Sequence, residues 1–451
     1  MSSDRAAAAG NSNDGDTGIT NRPPSAEAAE NQPLPPLSVS WVHDPLSQTQ
    51  EDKVDSIRQA CIARDLDSLR EFATSKGGLV TDEVRRTAWP ILLGCHHDQQ
   101  PAPYANEWTS LPQHRDEDQV QLDVNRSFVY YPKSMCCSPI LTPHDSDEIR
   151  DERKHELLAL ISSTLRRHPH LHYFQGYHDI IQVLLLVLGL DAAVPAAARI
   201  SLLHIRDFML PTMAGTEPHL RLFKHVTYAV DPALAQHLQE VEPFFALAAT
   251  LTLYAHEIEE YGDIARLFDF LLANEAVMPL YLYAAIVISR KKELFEFGAD
   301  EPEMLHAILS KMPKPLDLDS LILRASEMFV HYPPEKLPGR AWSRISSNSV
   351  LKTTHADPQQ LVQQTLEDGE RMFQRQAAEI RRHEARQRQI MHARLLFRRY
   401  KRPATYTAAA VLVAVTALLI GRGGSQQVND IGLFVFTGIR ERLTTTLKLL
   451  H

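Results

Sequence analysis

A chain of 451 residues with a formal net charge of −9 is long enough for one large domain with tails, and its acidity argues against nucleic acid as a partner. Hydrophobic residues make up 44% and charged residues 23%, the balance of a globular protein with a sizeable core. The four cysteines, Cys61, Cys95, Cys136 and Cys137, lack C-x-x-C spacing, and the first residues form no apolar signal segment, so a reducing, cytosolic setting is expected rather than secretion.

Residues 1–50 open the chain as a tail. Up to residue 40 they are rich in Ala, Ser, Asn, Gly and Pro, too poor in apolar surface to offset the entropy of ordering, and disorder is expected. From Asp52 the residues Val54, Ile57, Cys61, Ile62, Leu66, Leu69 and Phe72 recur mostly at three- and four-residue spacing, which predicts a helix that Gly77-Gly78 breaks. Thr81 is placed to cap a second helix carrying Val84, Ala88 and Trp89, a core anchor, which Pro90 would end or kink. Further on, Asp123 and Arg126 stand three apart and share a face if their stretch is helical. An exposed ion pair there would be worth only about 0 to 1 kcal/mol. Phe128 to Pro132 reads as extended or turning, and Asp147 to Leu165 as an amphipathic helix.

The polar and aromatic stretch Leu171 to Asp179 then runs into Ile180–Leu188, which is apolar on nearly every side except at Gln182. That run predicts a helix buried in a core, too short at roughly 10 residues to cross a bilayer. A buried helix is a rigid mount for whatever sits at its N-terminal lip. Gly176 permits close backbone approach there, and the Gln175 amide, with one acceptor and two donor hydrogens, can orient a water while donating to an oxyanion. His168, His170, His172 and His178 raise the idea of a metal, but nothing in the sequence closes a ligand shell, and no metal is expected. Pro243 to His256, Asp263 to Leu272 and Ala276 to Ile288 read as further core helices. Strand signals are few, and the expected fold class is all-α.

From Pro358 the chain turns helical and increasingly basic, through Arg381, Arg382, Arg386, Arg388, Arg394, Arg398 and Arg399 to Lys401 and Arg402. Residues 346–402 are expected to form a basic helical stalk. Ala404 to Gly421 is a run of about 18 uncharged residues, near the minimum for a hydrocarbon core of roughly 30 Å. A transmembrane helix is therefore expected at 403–421, with the basic flank holding the N-terminal bulk in the cytosol. Residues 422–451 are left as a short tail, lumenal or interfacial.

Four blocks stand in fixed order along the middle of the chain: Arg85-Arg86-Thr87-Ala88-Trp89-Pro90; Val120-x-x-Asp123-x-x-Arg126; Tyr173-Phe174-Gln175-Gly176; and Arg266-Leu267-Phe268-Asp269-Phe270-Leu271-Leu272 followed by Met278-Pro279-Leu280-Tyr281-Leu282. Together they resemble the TBC family of Rab GTPase-activating proteins, over roughly residues 55–345 of an expected domain at 51–345. The departures, Val120 for the usual Ile and Tyr177 for the frequent Met, touch no reacting group. The resemblance implies a helical domain that binds a GTP-bound Rab and accelerates its hydrolysis. Arg126 would be the arginine finger and Gln175 the glutamine finger, supported by Asp123, Tyr173, Gly176, Arg85, Trp89, Arg266 and Asp269. It also implies no cofactor of the chain's own, because GTP and Mg²⁺ belong to the Rab. In keeping with that, no G-x-x-x-x-G-K-[ST] phosphate loop occurs. With the late apolar run, the chain looks like the membrane-anchored subfamily of the early secretory pathway, which Tyr177-His178-Asp179 and the block from Arg266 also match. That subfamily places the domain on the cytosolic face of the endoplasmic reticulum or early Golgi. Two other classes fit the same residues less well: a catalytically silent TBC-fold scaffold that binds a Rab, which would need neither finger, and a membrane tether.

Overall fold

The periodic apolar residues near the N-terminus form two helices rather than one. In the computed structural model, which describes residues 45–95, 107–129, 143–354 and 358–421, α1 is Gln48–Ala63 and α2 is Leu66–Thr74. Arg64 turns left-handed (φ 52°) between them, and the Asp65 carboxylate caps α2 by accepting from Ser68 N–H. Thr81 caps α3, Asp82–Leu93, as expected. Pro90 does not end α3. Its missing N–H removes only one ladder bond, and Trp89, Leu92 and Leu93 are all buried, so the helix continues to a left-handed stop at Gly94.

There follow α4 (Glu117–Val124), α5 (Pro143–Arg167), α6 (Tyr177–Leu188), α7 (Leu190–Arg199), α8 (Glu217–Val230), α9 (Tyr261–Ala273), α10 (Met278–Ser289), α11 (Leu318–His331) and α12 (Leu366–Gly421). No strand occurs among the described residues. The segment Pro243 to His256 is not the single buried helix its composition suggests. It is a short 3₁₀ turn, Pro243–Ala246, then one helical turn, Leu247–Leu251, then a bend with left-handed Leu253 and Tyr254. The Thr250 and Thr252 hydroxyls there bond the carbonyls of Ala246 and Ala248, and the buried Tyr254 hydroxyl reaches Pro279 O at 2.8 Å. These side-chain bonds favour a bend over a continued ladder.

The core has two foci. Helix α6, buried from Ile180 to Leu188, packs against α3, α5 and α7, and α10 packs between α8 and α11. Helix α9 links them by lying against α2, α3, α6 and α11.

The described residues divide into two compact units, the first ending at Arg371 and the second beginning at Met372. Polar side chains buried in the first unit hold its last segment. Arg199 donates to the carbonyls of Leu93, Val362 and Gln364. Arg206 bonds Leu202 O and Thr353 Oγ1. Buried Asp207 accepts from His219 Nε2, Ser349 Oγ and Val350 N–H.

Helix α12 runs unbroken to Gly421, so the late apolar run lies on a helix. The membrane span expected at 403–421 is not supported: among the described residues no helix is long and apolar enough to cross a membrane. The expected tails, up to residue 44 and from residue 422 on, lie outside the described residues, as do Cys136 and Cys137.

The latch at Asp207 yields a stability prediction. Ending the chain after Ile345 removes Ser349 and Val350, the Val362 and Gln364 carbonyls that Arg199 engages and the Thr353 hydroxyl that Arg206 engages. It should cost about 3 kcal/mol or more relative to ending after Arg371, because buried charges lose their partners. Equal melting temperatures for the two truncations would refute the latch.

Candidate functional site

The residues singled out in the sequence form two separate hydrogen-bond networks. The first is structural and centres on Asp269 of α9, fully buried. Its carboxylate takes the Arg85 guanidinium through Nε and Nη2, both at 2.9 Å, the Trp89 indole N–H at 2.8 Å and Leu79 N–H at 2.9 Å. Burial opposes the charge on Arg85, but Asp269 and Asp82 more than offset it and hold the guanidinium above its ordinary value. Gly78, with φ +55°, lets the loop approach closely: a Cβ there would stand 2.5 Å from Asp269 Oδ2. Arg266, one turn earlier on α9, donates to the carbonyls of Ala73, Thr74 and Ser75 at the end of α2 and to Asp319. Thus Arg85, Trp89, Arg266 and Asp269 fasten α2 and α3 to α9.

The second network surrounds the lip of α6. Arg126 lies in the turn just after α4, its side chain 67% exposed. Nη2 donates to Asp123 Oδ1 at 2.6 Å and Nε to Leu122 O at 3.3 Å. Asp123 is buried, and its Oδ2 accepts the Tyr173 hydroxyl at 2.9 Å. Burial, then Asp123, push the Tyr173 phenol far above its ordinary value, so it stays a neutral donor. Arginine motif and glutamine motif are therefore joined by one carboxylate. The frame is fixed on both sides: Tyr173 N–H donates to Asp116 Oδ2 at 3.0 Å, Arg115 bonds the carbonyls of Pro169 and Leu171, and Arg166 forks onto Glu117 at 2.6 and 2.7 Å.

Gln175 is exposed, and its amide makes no hydrogen bond among the described residues. It is presented by the turn that starts α6. Gly176 adopts φ +101°, and a Cβ at that position would stand 2.5 Å from Thr252 Cγ2. Behind it Tyr177 is buried, with its hydroxyl 2.7 Å from Ser201 Oγ. Phe174 packs edge-on against Tyr177 and Phe208. The lip therefore has little freedom to shift.

Three functional neighbours escape a reading by motif. Gln182, the one amide in the apolar run of α6, accepts Phe128 N–H at 3.1 Å and so fixes the chain two residues beyond Arg126, where Phe128 is left-handed (φ 60°). Its signal in the sequence is its polarity on an otherwise apolar helix. His178 stands 3.0 Å from the Tyr173 hydroxyl, and His256 meets Asp179 at 3.1 Å. Of the four clustered histidines His178 enters this network through its ring, whereas His168 pairs with Glu370.

Arg126 and Gln175 thus stand exposed beside one hydrogen-bonded frame. Sequence comparison gives the class: the sequence model of the Rab-GTPase-TBC domain matches residues 82–295. TBC1 domain family member 20 of Homo sapiens is 35% identical over 312 residues, covering 68% of this chain and 74% of its own. GTPase-activating protein gyp10 of Schizosaccharomyces pombe is 30% identical over 334 residues, covering 72% and 84%. The chain belongs to the RabGAP-TBC family. A crystal structure of the Chlamydomonas flagellar RabGAP TBC domain aligns over 63% of this chain at 16% identity and a TM-score of 0.42, too distant to add to the assignment.

Two substitutions separate frame from lip. Asp269→Ala leaves Arg85 buried without its main counter-charge and should cost about 3 to 5 kcal/mol, read from denaturant unfolding. Gly176→Ala should cost about 1 to 3 kcal/mol through its left-handed backbone and the collision with Thr252. A Gly176→Ala protein as stable as the parent would show that the lip yields.

Proposed function

We propose that the chain accelerates GTP hydrolysis by a Rab GTPase, with Arg126 delivered in trans to the transferring phosphoryl group and Gln175 to the attacking water. The observation that carries this reading is the shared frame. Buried Asp123 holds exposed Arg126 with one oxygen and Tyr173 with the other, two residues before an exposed Gln175 that makes no side-chain hydrogen bond among the described residues. A guanidinium stays charged and offers forked donors to phosphate oxygens. Supplied in trans it is worth about 10³ to 10⁵ in rate, or about 4 to 7 kcal/mol of barrier. Asp123, Tyr173 and Gly176 act in this reading as positioning residues. GTP and Mg²⁺ are brought by the Rab, and the chain supplies no cofactor of its own. The name of the fission yeast relative, a GTPase-activating protein, supports the same reaction.

The setting proposed is the cytosolic side of traffic between endoplasmic reticulum and early Golgi. That part rests on the resemblance carried by Tyr177-His178-Asp179 and the block from Arg266. No membrane span enters it.

Single-turnover phosphate release from a panel of GTP-loaded Rabs tests the reading. Arg126→Ala should lower stimulation of the responding Rab by about 10²-fold or more, and Arg126→Lys nearly as much, with the fold retained. Gln175→Ala should remove most stimulation although Arg126 is intact. A Rab whose own switch glutamine is changed to leucine should still respond to the wild-type chain, since Gln175 takes over the water. If that Rab is wholly unstimulated, Gln175 does not position the water.

A further inference from the structure

Two left-handed residues in succession, neither of them glycine, stand beside the glutamine lip. Leu253 has φ 49° and Tyr254 φ 66°. Residues with a Cβ enter that region rarely, because the Cβ crowds the following carbonyl, and they stay there only where their surroundings over-determine them. Here the surroundings do so. Leu253 and Tyr254 are both buried, the Tyr254 hydroxyl donates to Pro279 O at 2.8 Å and the Tyr254 N–H to Ala249 O at 2.7 Å. The Thr252 hydroxyl donates to Ala248 O at 2.8 Å. A bend held this firmly fixes where the residues on either side of it go.

Both sides of the bend touch the start of α6. Before it, the buried Thr252 sets its Cγ2 methyl against Gly176, so close that a Cβ on the glycine would stand 2.5 Å away. After it, His256 Nδ1 lies 3.1 Å from Asp179 Oδ2. A carboxylate has no hydrogen to give, so the imidazole donates, either neutral with its hydrogen on Nδ1 or doubly protonated. Asp179 is the third residue of α6, and its N–H closes back onto Gly176 O at 3.1 Å. The two contacts therefore hold opposite ends of one turn, 176–179, and Gln175 is the residue that leads into it. The His256 side chain is 61% exposed and that of Asp179 16%. An ion pair with one partner so exposed adds little to stability. As a tie between the bend and the turn, it decides whether the second contact is made.

We propose that His256, acting through Asp179, is a positioning residue for Gln175: it closes the strained bend onto the first turn of α6 and so fixes how the glutamine amide is presented to the attacking water. This deepens the two-finger reading and rests on it for the task of Gln175. Arg126 lies outside the effect, because its guanidinium is held from α4 by Asp123 and Leu122 O.

The test uses the full chain in two arms. In the first, without any Rab, backbone hydrogen exchange is read by mass spectrometry over residues 174–179, where the N–H groups of Tyr177 and Asp179 close the turn onto Phe174 O and Gly176 O. His256→Ala should speed exchange there by about fivefold, and Asp179→Asn, which keeps an acceptor oxygen for the imidazole, by less than about twofold. Exchange over residues 123–127, the arginine side, should not change. Unchanged exchange over 174–179 in His256→Ala overturns the tie. In the second arm, single-turnover stimulation of the responding Rab is followed against chain concentration. His256→Ala should lower the saturating rate by about tenfold, leave the half-saturating concentration within about twofold of the parent, and add no further loss once Gln175 is already Ala. A saturating rate equal to that of the parent, or a loss that multiplies in full with that of Gln175→Ala, overturns the positioning role. If the turn loosens as expected yet Gln175→Ala stimulates like the parent, the finger reading fails and the tie between bend and turn stands.

Discussion

One carboxylate, Asp269, decides whether this domain has a site to present. It has no exposed surface, and it neutralises Arg85 while accepting the Trp89 indole and the Leu79 amide. A buried ion pair of this kind is poor evidence of net stabilisation, since desolvation offsets much of the attraction. Its value lies in the cost of leaving any of these buried donors or charges without a partner. Helix α3 in turn reaches α6 through Arg86, which donates to Val187 O at 3.1 Å. The position of the lip is inherited from a contact made elsewhere in the core.

The lip shows a division of labour between burial and exposure. Tyr177 and Ile180 onward are sealed from solvent, while Gln175, just before them, is open to it. Asp123 repeats the pattern across a single side chain, its carboxylate buried and the guanidinium it holds mostly exposed. Chemistry in a partner's site demands groups that are both reachable and preorganised. Anchoring each exposed group to a buried one meets both demands.

Much of this was legible in the residues. The apolar run after Asp179 announced the buried α6, Thr81 announced the start of α3, and the four ordered blocks pointed to one family. The sequence was less informative where tertiary contacts override local pattern. Nothing in the spacing from Val54 to Phe72 warns that Asp65 will cap a new helix at Leu66. The segment after Pro243 reads as helix until Tyr254 is seen bonding Pro279 O. Motif spacing put Asp123 and Arg126 on one face if their stretch were helical, but α4 ends at Val124 and the spacing could not show that Tyr173, 50 residues on, shares the Asp123 carboxylate. His178 was visible as one histidine among several and within Tyr177-His178-Asp179, but its contact with the Tyr173 hydroxyl was not. The apolar run at 403–421 met the length rule on paper, yet among the described residues no helix is long and apolar enough to cross a membrane.

The latch at Asp207 has a consequence for how the chain is made. Its partners Ser349 and Val350 lie more than a hundred residues downstream, and the carbonyls of Val362 and Gln364 that satisfy Arg199 come later still. Domains generally fold as units during synthesis, N-terminal parts first. Here the arginine and carboxylate at the end of α7 and just beyond wait on the ribosome with their final partners not yet translated. The helices before them can collapse early, but the nascent domain keeps a polar wound in its core until residue 364 has emerged, and that interval is when a holding chaperone would have something to hold.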